Sequence, residues 1–429
     1  MPDLTPQLLP AILDYRLPGL DLGAGFVHPR YDGWSLLNLP SSICAWLGVP
    51  ALAASPLTTE ITNRLPSTSY NRVILVLVDA LALHRLQTWI AAGFAPGWAS
   101  LARQGCLAPL TSVVPSTTSS ALTSFWTGRS PAEHGITGYE MWLKEYGVVA
   151  NTILHSPASY QGDLGSLERA GFDPEKFLPF TTLGAHLKSS GVTSYVLQHA
   201  SILNSGLSRM FFKHASLLRF YTAADLWVNL RNLLQNHPGE RLFAYVYWHE
   251  IDTLSHIYGP DDERTAAEFA GFSQAFERLF LDRLRPADRQ DTLILLTSDH
   301  GAITTCIDPH YELAKHPDLA RCLHIQPTGE SRLAYLYIRP GRAEAARAYL
   351  KRTWPGRFAL LEAEAAVQAG LFGPGLPHPG LLDRLGDYLV IARHDAYLWW
   401  ANKENRMLGR HGGLHPEEML IPLLAAPLT

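Results

Sequence analysis

The sequence predicts an α/β protein built on a mainly parallel central sheet with helices on both faces, with an inserted α+β subdomain. Three observations predict it. Val73 to Val78 is an unbroken run of β-branched and leucine residues that stops abruptly at Asp79, as a strand buried on both faces would. Similar runs recur at Thr193 to Leu197, Leu242 to Trp248 and Thr292 to Thr297, alternating with helix-like spacing at Leu81 to Ala92, Thr182 to Ser189 and Ala223 to Gln235. Polar residues follow three of these runs at once: Asp79 after the first, His249 to Asp252 after the third, and Ser298, Asp299 and His300 after the fourth. In parallel sheets, loops converge beyond the carboxyl ends of the strands, and ligand-binding groups gather there.

Taken in order, residues 1–69 contain many prolines and no strong periodicity, so short helices and loops wrapping the core are expected. Residues 70–301 and 406–429 make the expected core. Between them, residues 302–405 carry strand runs at Arg332 to Ile338 and Tyr388 to Ala392, and a helix at Ala343 to Thr353 after the Pro340-Gly341 break, which reads as the inserted subdomain.

At 429 residues the chain exceeds the size at which one core stops growing, so a large domain with a substantial subdomain fits. A 47% hydrophobic and 17% charged composition excludes a disordered or fibrous chain. The formal net charge of -4 supplies no cationic field for a nucleic-acid polymer or an acidic membrane, so a small-molecule partner is expected. Cys44, Cys106, Cys306 and Cys322 lack metal-type spacing and read as ordinary buried thiols. No basic region followed by an apolar stretch opens the sequence, and no run approaches a membrane span, so a cytoplasmic location is the expectation.

Four segments carry candidate chemistry. Asp252 and His256 lie four apart, a spacing that puts a carboxylate and an imidazole on one helix face as metal ligands, or merely as a surface ion pair. Asp299-His300-Gly301 puts two ligand-type side chains at a strand end, with a glycine that permits close backbone approach; a simple turn is the alternative. The segment Pro115 to Ala121 places several hydroxyls at the start of a helix running through Trp126, where exposed N–H groups favour an anion or a hydroxyl merely caps the helix. His411 sits among Gly409, Gly412 and Gly413 ahead of a strand-like end at Met419 to Leu424.

In chain order, Asp79, Thr118, Asp252 with His256, Asp299 with His300, and His411 resemble the alkaline phosphatase superfamily, in particular its type I phosphodiesterase and nucleotide pyrophosphatase branch. The resemblance covers roughly residues 70–301 and 406–429. It implies two divalent metal ions, zinc by preference and manganese as the alternative. One would be held by Asp79, Asp299, His300 and the Thr118 oxygen, the other by Asp252, His256 and His411. It also implies that Thr118 is the nucleophile, forming a phosphothreonine while cleaving a phosphate ester, expected to be a phosphodiester or a nucleotide pyrophosphate.

The resemblance departs at Ala121, where a donor to a phosphoryl oxygen is expected three residues past Thr118. Backbone N–H groups, Arg129 or Lys403 are the replacements considered. A phosphomonoesterase or phosphomutase with the same metals, and a non-catalytic metal-binding relative, remain alternatives. His249, His310, His324 and His415 receive no role. Tyr139, Trp142 and Tyr146 read as core residues before they read as a wall for a nucleobase.

Overall fold

The computed structural model describes residues 3–159 and 163–428. Its central sheet has seven strands, in the spatial order Cys106–Thr111, Leu420–Pro427, Thr292–Thr297, Arg72–Val78, Leu242–Trp248, Thr193–His199 and Ser216–Phe220. All pairings among the last five are parallel. Leu420–Pro427 alone runs against its neighbours on both sides. It therefore begins at the edge where the parallel strands end, which brings the glycine loop before it to the same edge as Asp79 and Asp299.

Side chains alternate across a strand, and that alternation creates two cores from one strand. Val73, Leu75 and Leu77 enter one cluster with Phe125 and Trp126 of the helix Thr118–Thr127 and with Leu183 and Leu187 of the helix Leu183–Ser189. Ile74, Val76 and Val78 enter the other with Leu86 and Trp89 of Leu83–Ala91 and with Leu226, Trp227 and Leu230 of Ala223–Asn236. Helices thus cover both faces, as a parallel sheet requires.

Two sheet strands gave no sequence signal. Cys106–Thr111 contains Pro109, which lacks an amide donor, and it occupies a sheet edge, the position where proline is tolerated. Ser216–Phe220 is the opposite edge and is largely exposed, so no buried run marks it.

A second seven-stranded sheet draws on two stretches of chain. Leu323–Glu330, Leu333–Ile338, Phe358–Glu362 and Tyr388–Ala392 join Glu140–Leu143, Val148–Asn151 and Ser156–Pro157 through the Gly329–Glu140 pairing. Leu333, Tyr335 and Tyr337 face the first core, while Ala334, Leu336 and Ile338 pack with Ala346 and Leu350 of the helix Ala343–Thr353. The N-terminal helices Thr5–Leu13 and Leu39–Trp46 contribute Leu8, Ile12, Leu39 and Ile43 to the first core. Cys44, Cys106 and Cys322 are buried but Cys306 is exposed, which corrects the expectation of four buried thiols. Among the described residues, no helix is long and apolar enough to cross a membrane.

Candidate two-cation site

Three strand ends, a helix start and the glycine loop converge. Asp79 ends Arg72–Val78, Asp299 and His300 follow Thr292–Thr297, and Asp252 and His256 lie one turn apart on the helix Glu250–Tyr258 that follows Leu242–Trp248. His411 arrives from the loop before Leu420–Pro427, and Thr118 opens the helix Thr118–Thr127.

The segment around Thr118 divides its hydroxyls. Ser116 donates to the carbonyl of Gly413 (2.7 Å), Ser119 to that of Gly138 (2.9 Å) and Ser120 to that of Ile136 (2.8 Å), all tying the helix to its surroundings. Thr117, at the cap position, makes no side-chain capping bond. Thr118 Oγ1 instead lies 3.2 Å from His300 Nε2.

All three histidines are oriented alike. Nδ1–H of His300 donates to the carbonyl of Gly301 (3.0 Å), that of His256 to Gly409 (2.9 Å) and that of His411 to Ser116 (3.2 Å). A carbonyl can only accept, so each neutral ring presents an Nε2 lone pair to the site, the arrangement that fixes a metal-binding imidazole. His256 and His411 face each other Nε2 to Nε2 at 3.2 Å, close enough for one cation to be held between them. Burial first, and then His300 and His256, hold the His411 pKa well below the ordinary imidazole value.

The carboxylates carry the complementary deficit. Asp79 Oδ1, Asp252 Oδ1 and Asp299 Oδ2 are buried without a hydrogen-bond donor. The other oxygen of Asp79 accepts from the Tyr247 hydroxyl, and Asp299 Oδ1 accepts from the backbone N–H of His300 (3.0 Å) and of Ala80 (3.3 Å). Burial, reinforced by Asp299 and Asp252, pushes the Asp79 carboxyl well above the usual range. Burial likewise pushes Asp299 up to about 7, with Asp252 adding repulsion. Clustered anions in a dry site need positive charge beside them.

Within this site, two sets of candidate ligand atoms each lie within 4.8 Å of one another: Asp252 with His256 and His411, and Asp79 with Asp252 and His300. His300 Nε2 is 3.4 Å from Asp79 Oδ1 and 3.5 Å from Asp299 Oδ2, and His256 Nε2 is 3.3 Å from Asp252 Oδ1. Asp252 therefore stands between the two sets. Imidazole and carboxylate donors without thiolate suit zinc or manganese.

Two cavities open on Thr118. The larger, about 330 Å³, is bounded by Thr117, Tyr139, Glu140, Glu330, Trp399, Trp400 and Lys403. The smaller, about 170 Å³, is lined by Leu122, Ile153, Ile202, Leu207, Phe211 and Phe212, with Gln198 and His249 among its polar members. Thr118, Asp252 and Ile153 belong to both.

The sequence did not single out Glu140, Glu330, Trp399 or Trp400. Glu330 accepts from the Tyr139 N–H (2.8 Å), and burial pushes its carboxyl up to about 8. Trp400 is fixed by donating its indole N–H to Glu140 (2.8 Å). Of the three aromatic residues considered for a wall, Tyr139 lines the cavity, Trp142 packs against the core and Tyr146 packs on Phe172. Ala121 is buried in the first core and lines neither cavity. Arg129 pairs with Glu133 (2.8 Å) away from both cavities, whereas Lys403 lies in the larger one.

Comparison with known proteins follows the same line. Residues 73–414 match the family model described as type I phosphodiesterase / nucleotide pyrophosphatase. Bis(5'-adenosyl)-triphosphatase enpp4 of Xenopus laevis is 25% identical over 199 residues, which span 43% of this chain and 38% of that protein. Murine ectonucleotide pyrophosphatase / phosphodiesterase 5 superposes with a TM-score of 0.58 at 17% identity, covering 82% of this chain and 87% of that one. Phosphonoacetate hydrolase from Sinorhizobium meliloti 1021 gives 0.59 at 18% identity, covering 84% and 90%.

Proposed function

The chain belongs to the type I phosphodiesterase / nucleotide pyrophosphatase family, and from that premise we propose that it hydrolyses phosphodiesters at a two-zinc site with Thr118 as nucleophile. The single observation that carries the diester reading is the pair of cavities meeting at Thr118. A diester has two substituents on phosphorus and a monoester has one, and a nucleophile between two cavities fits the former.

Asp79, Asp299 and His300 would hold one ion beside Thr118, and Asp252, His256 and His411 the other. The unpartnered carboxylate oxygens support ligand roles for the three aspartates, and the facing nitrogens of His256 and His411 support the second set, while Asp252 also lies within reach of Asp79 and His300. When bound, the ions neutralise charge on the attacking and departing oxygens and lower the pKa of the threonine hydroxyl.

Thr118 Oγ1 forms a bond to phosphorus as the bond to one leaving alcohol breaks, the other substituent stays on the phosphoryl group now held by Thr118, and water then cleaves the bond to Thr118 to release the monoester. The N–H groups opening the helix Thr118–Thr127 offer a partial positive charge to the phosphoryl oxygens. Trp399, Trp400 and Tyr139 supply flat apolar surface for one substituent, and Phe211, Phe212 and Leu122 surround the other. Nucleotides are among the candidates, given the bis(5'-adenosyl)-triphosphatase relative.

Zinc-loaded protein is expected to hydrolyse bis(p-nitrophenyl) phosphate with a kcat/KM at least about tenfold above that for p-nitrophenyl phosphate. Equal or reversed values would assign a phosphomonoesterase. No hydrolysis of any phosphate, sulfate or phosphonate ester by the metal-loaded protein would leave a non-catalytic metal-binding protein.

A further inference from the structure

Arg332 and Glu418 form an ion pair that is fully buried on both sides, and it lies outside the ligand set. The pairing is two-pronged: Arg332 Nε donates to Glu418 Oε1 (3.1 Å) and Nη2 to Oε2 (2.7 Å). A buried pair of this kind is weak evidence for stability, because desolvation offsets much of the attraction. What the remaining hydrogen bonds hold is more informative.

Glu418 accepts the N–H of Gly413 (2.8 Å) and of His415 (3.3 Å), so it grips the loop that carries His411. Its own carbonyl accepts the N–H of Gly301 (2.8 Å), next to His300. On the other side, Arg332 Nη1 donates to the carbonyls of His394 (2.7 Å) and Ala396, and Leu398 N–H donates to the Ser331 carbonyl (2.7 Å). That segment leads directly into Trp399 and Trp400 of the larger cavity. One ion pair thus ties the His411 loop to the wall of the substrate cavity.

We propose that Arg332 and Glu418 are positioning residues that hold the His411 loop in register with that wall, so that the cation site of Asp252, His256 and His411 depends on them. The proposal rests on the two-zinc reading. Loss of the outer support of a metal ligand weakens metal binding by roughly 10- to 100-fold.

The test measures zinc affinity by chelator competition, well below the melting temperature, for wild type, Glu418→Gln and Arg332→Lys. The lysine variant keeps the charge but loses the planar fork. Both variants are expected to bind one zinc as wild type does and the second at least tenfold more weakly, with the smaller effect for Arg332→Lys. A merely structural pair would lower the melting temperature yet leave both affinities of the folded protein unchanged, and that result overturns the proposal. Failure of both variants to fold also overturns it, since the pair would then serve the core. If wild type binds no zinc, the two-zinc reading itself has failed, a different outcome from wild-type affinities in the variants.

Discussion

The aspartates at the strand ends show how burial prepares a residue for a partner. In the metal-free protein, burial holds Asp79 well above the ordinary carboxylate range and pushes Asp299 up to about 7. An unfolded aspartate releases its proton near pH ~4. Between about pH 4 and 7, therefore, the folded state keeps protons that the unfolded chain has lost, and stability falls as pH rises through that window. At the proposed two-metal site, divalent cations would replace those protons. Buried histidines such as His134 and His411, whose pKa values are depressed by burial, act in the opposite direction, so the aspartate contribution is read as a difference between variants: from about pH 4 to 7 the metal-free melting temperature of wild type is expected to fall relative to that of Asp299→Asn. A wild-type melting temperature that rises relative to the variant across that window would contradict the electrostatic reading of Asp299. At Thr118, substitution by alanine is expected to lower kcat for the diester by about 10²-fold or more, while zinc content stays near wild type. Undiminished turnover would assign the attack to water.

At the scale of elements, the strands read most easily were those buried on both faces. Leu242–Trp248 and Thr292–Thr297 are unbroken apolar runs, and their polar ends announced the site. The spacing of Asp252 and His256 was legible because one helical turn brings them together, and the structure adds His411 against them. Cys106–Thr111 and Ser216–Phe220 were not legible, since proline and exposure remove the pattern a buried strand leaves. Glu330, Trp399 and Trp400 escaped for another reason. Glu330 reaches the cavity from the second sheet and Trp399 and Trp400 from the segment after Tyr388–Ala392, and nothing local in their sequence marks that meeting. Tyr247 was hidden within an apolar run, although its hydroxyl donates to Asp79.

The glycine of Asp299-His300-Gly301 was read as allowing close approach to a ligand. The close approach is instead to another element: a Cβ at Gly301 would sit 2.0 Å from the Glu417 carbonyl oxygen and 2.8 Å from Ala82 Cβ. Backbone cannot step aside as a side chain can. Gly301→Ala is expected to cost at least about 2 kcal/mol in urea denaturation of the metal-free protein. A wild-type midpoint would show that the loop has slack the packing does not reveal.

For the whole molecule, function follows from how two sheets share one core. Leu333, Tyr335 and Tyr337 press the second sheet against the first core, and this docking builds the larger cavity over the strand ends. The smaller cavity is made by the helix Gly206–Phe211 and its flanking residues, which line it with Leu207, Phe211 and Phe212. Enlarging that side is expected to relax substrate choice without removing turnover. Phe212→Ala should change the relative kcat/KM of diesters with large and small apolar substituents by about tenfold, within the range that pocket contacts of this size supply. Unchanged ratios would place both substituents in the larger cavity.

The proposed hydrolysis runs through a covalent bond to Thr118. The most direct measurement is acid quenching of zinc-loaded protein during turnover of bis(p-nitrophenyl) phosphate, followed by mass analysis of its peptides. A covalent route predicts that the peptide containing Thr118 gains one p-nitrophenyl phosphoryl group, the second nitrophenyl having left, and that Thr118→Ala gives no such species. Full turnover with no phosphorylated Thr118 peptide, or a phosphoryl group on another residue, would contradict it.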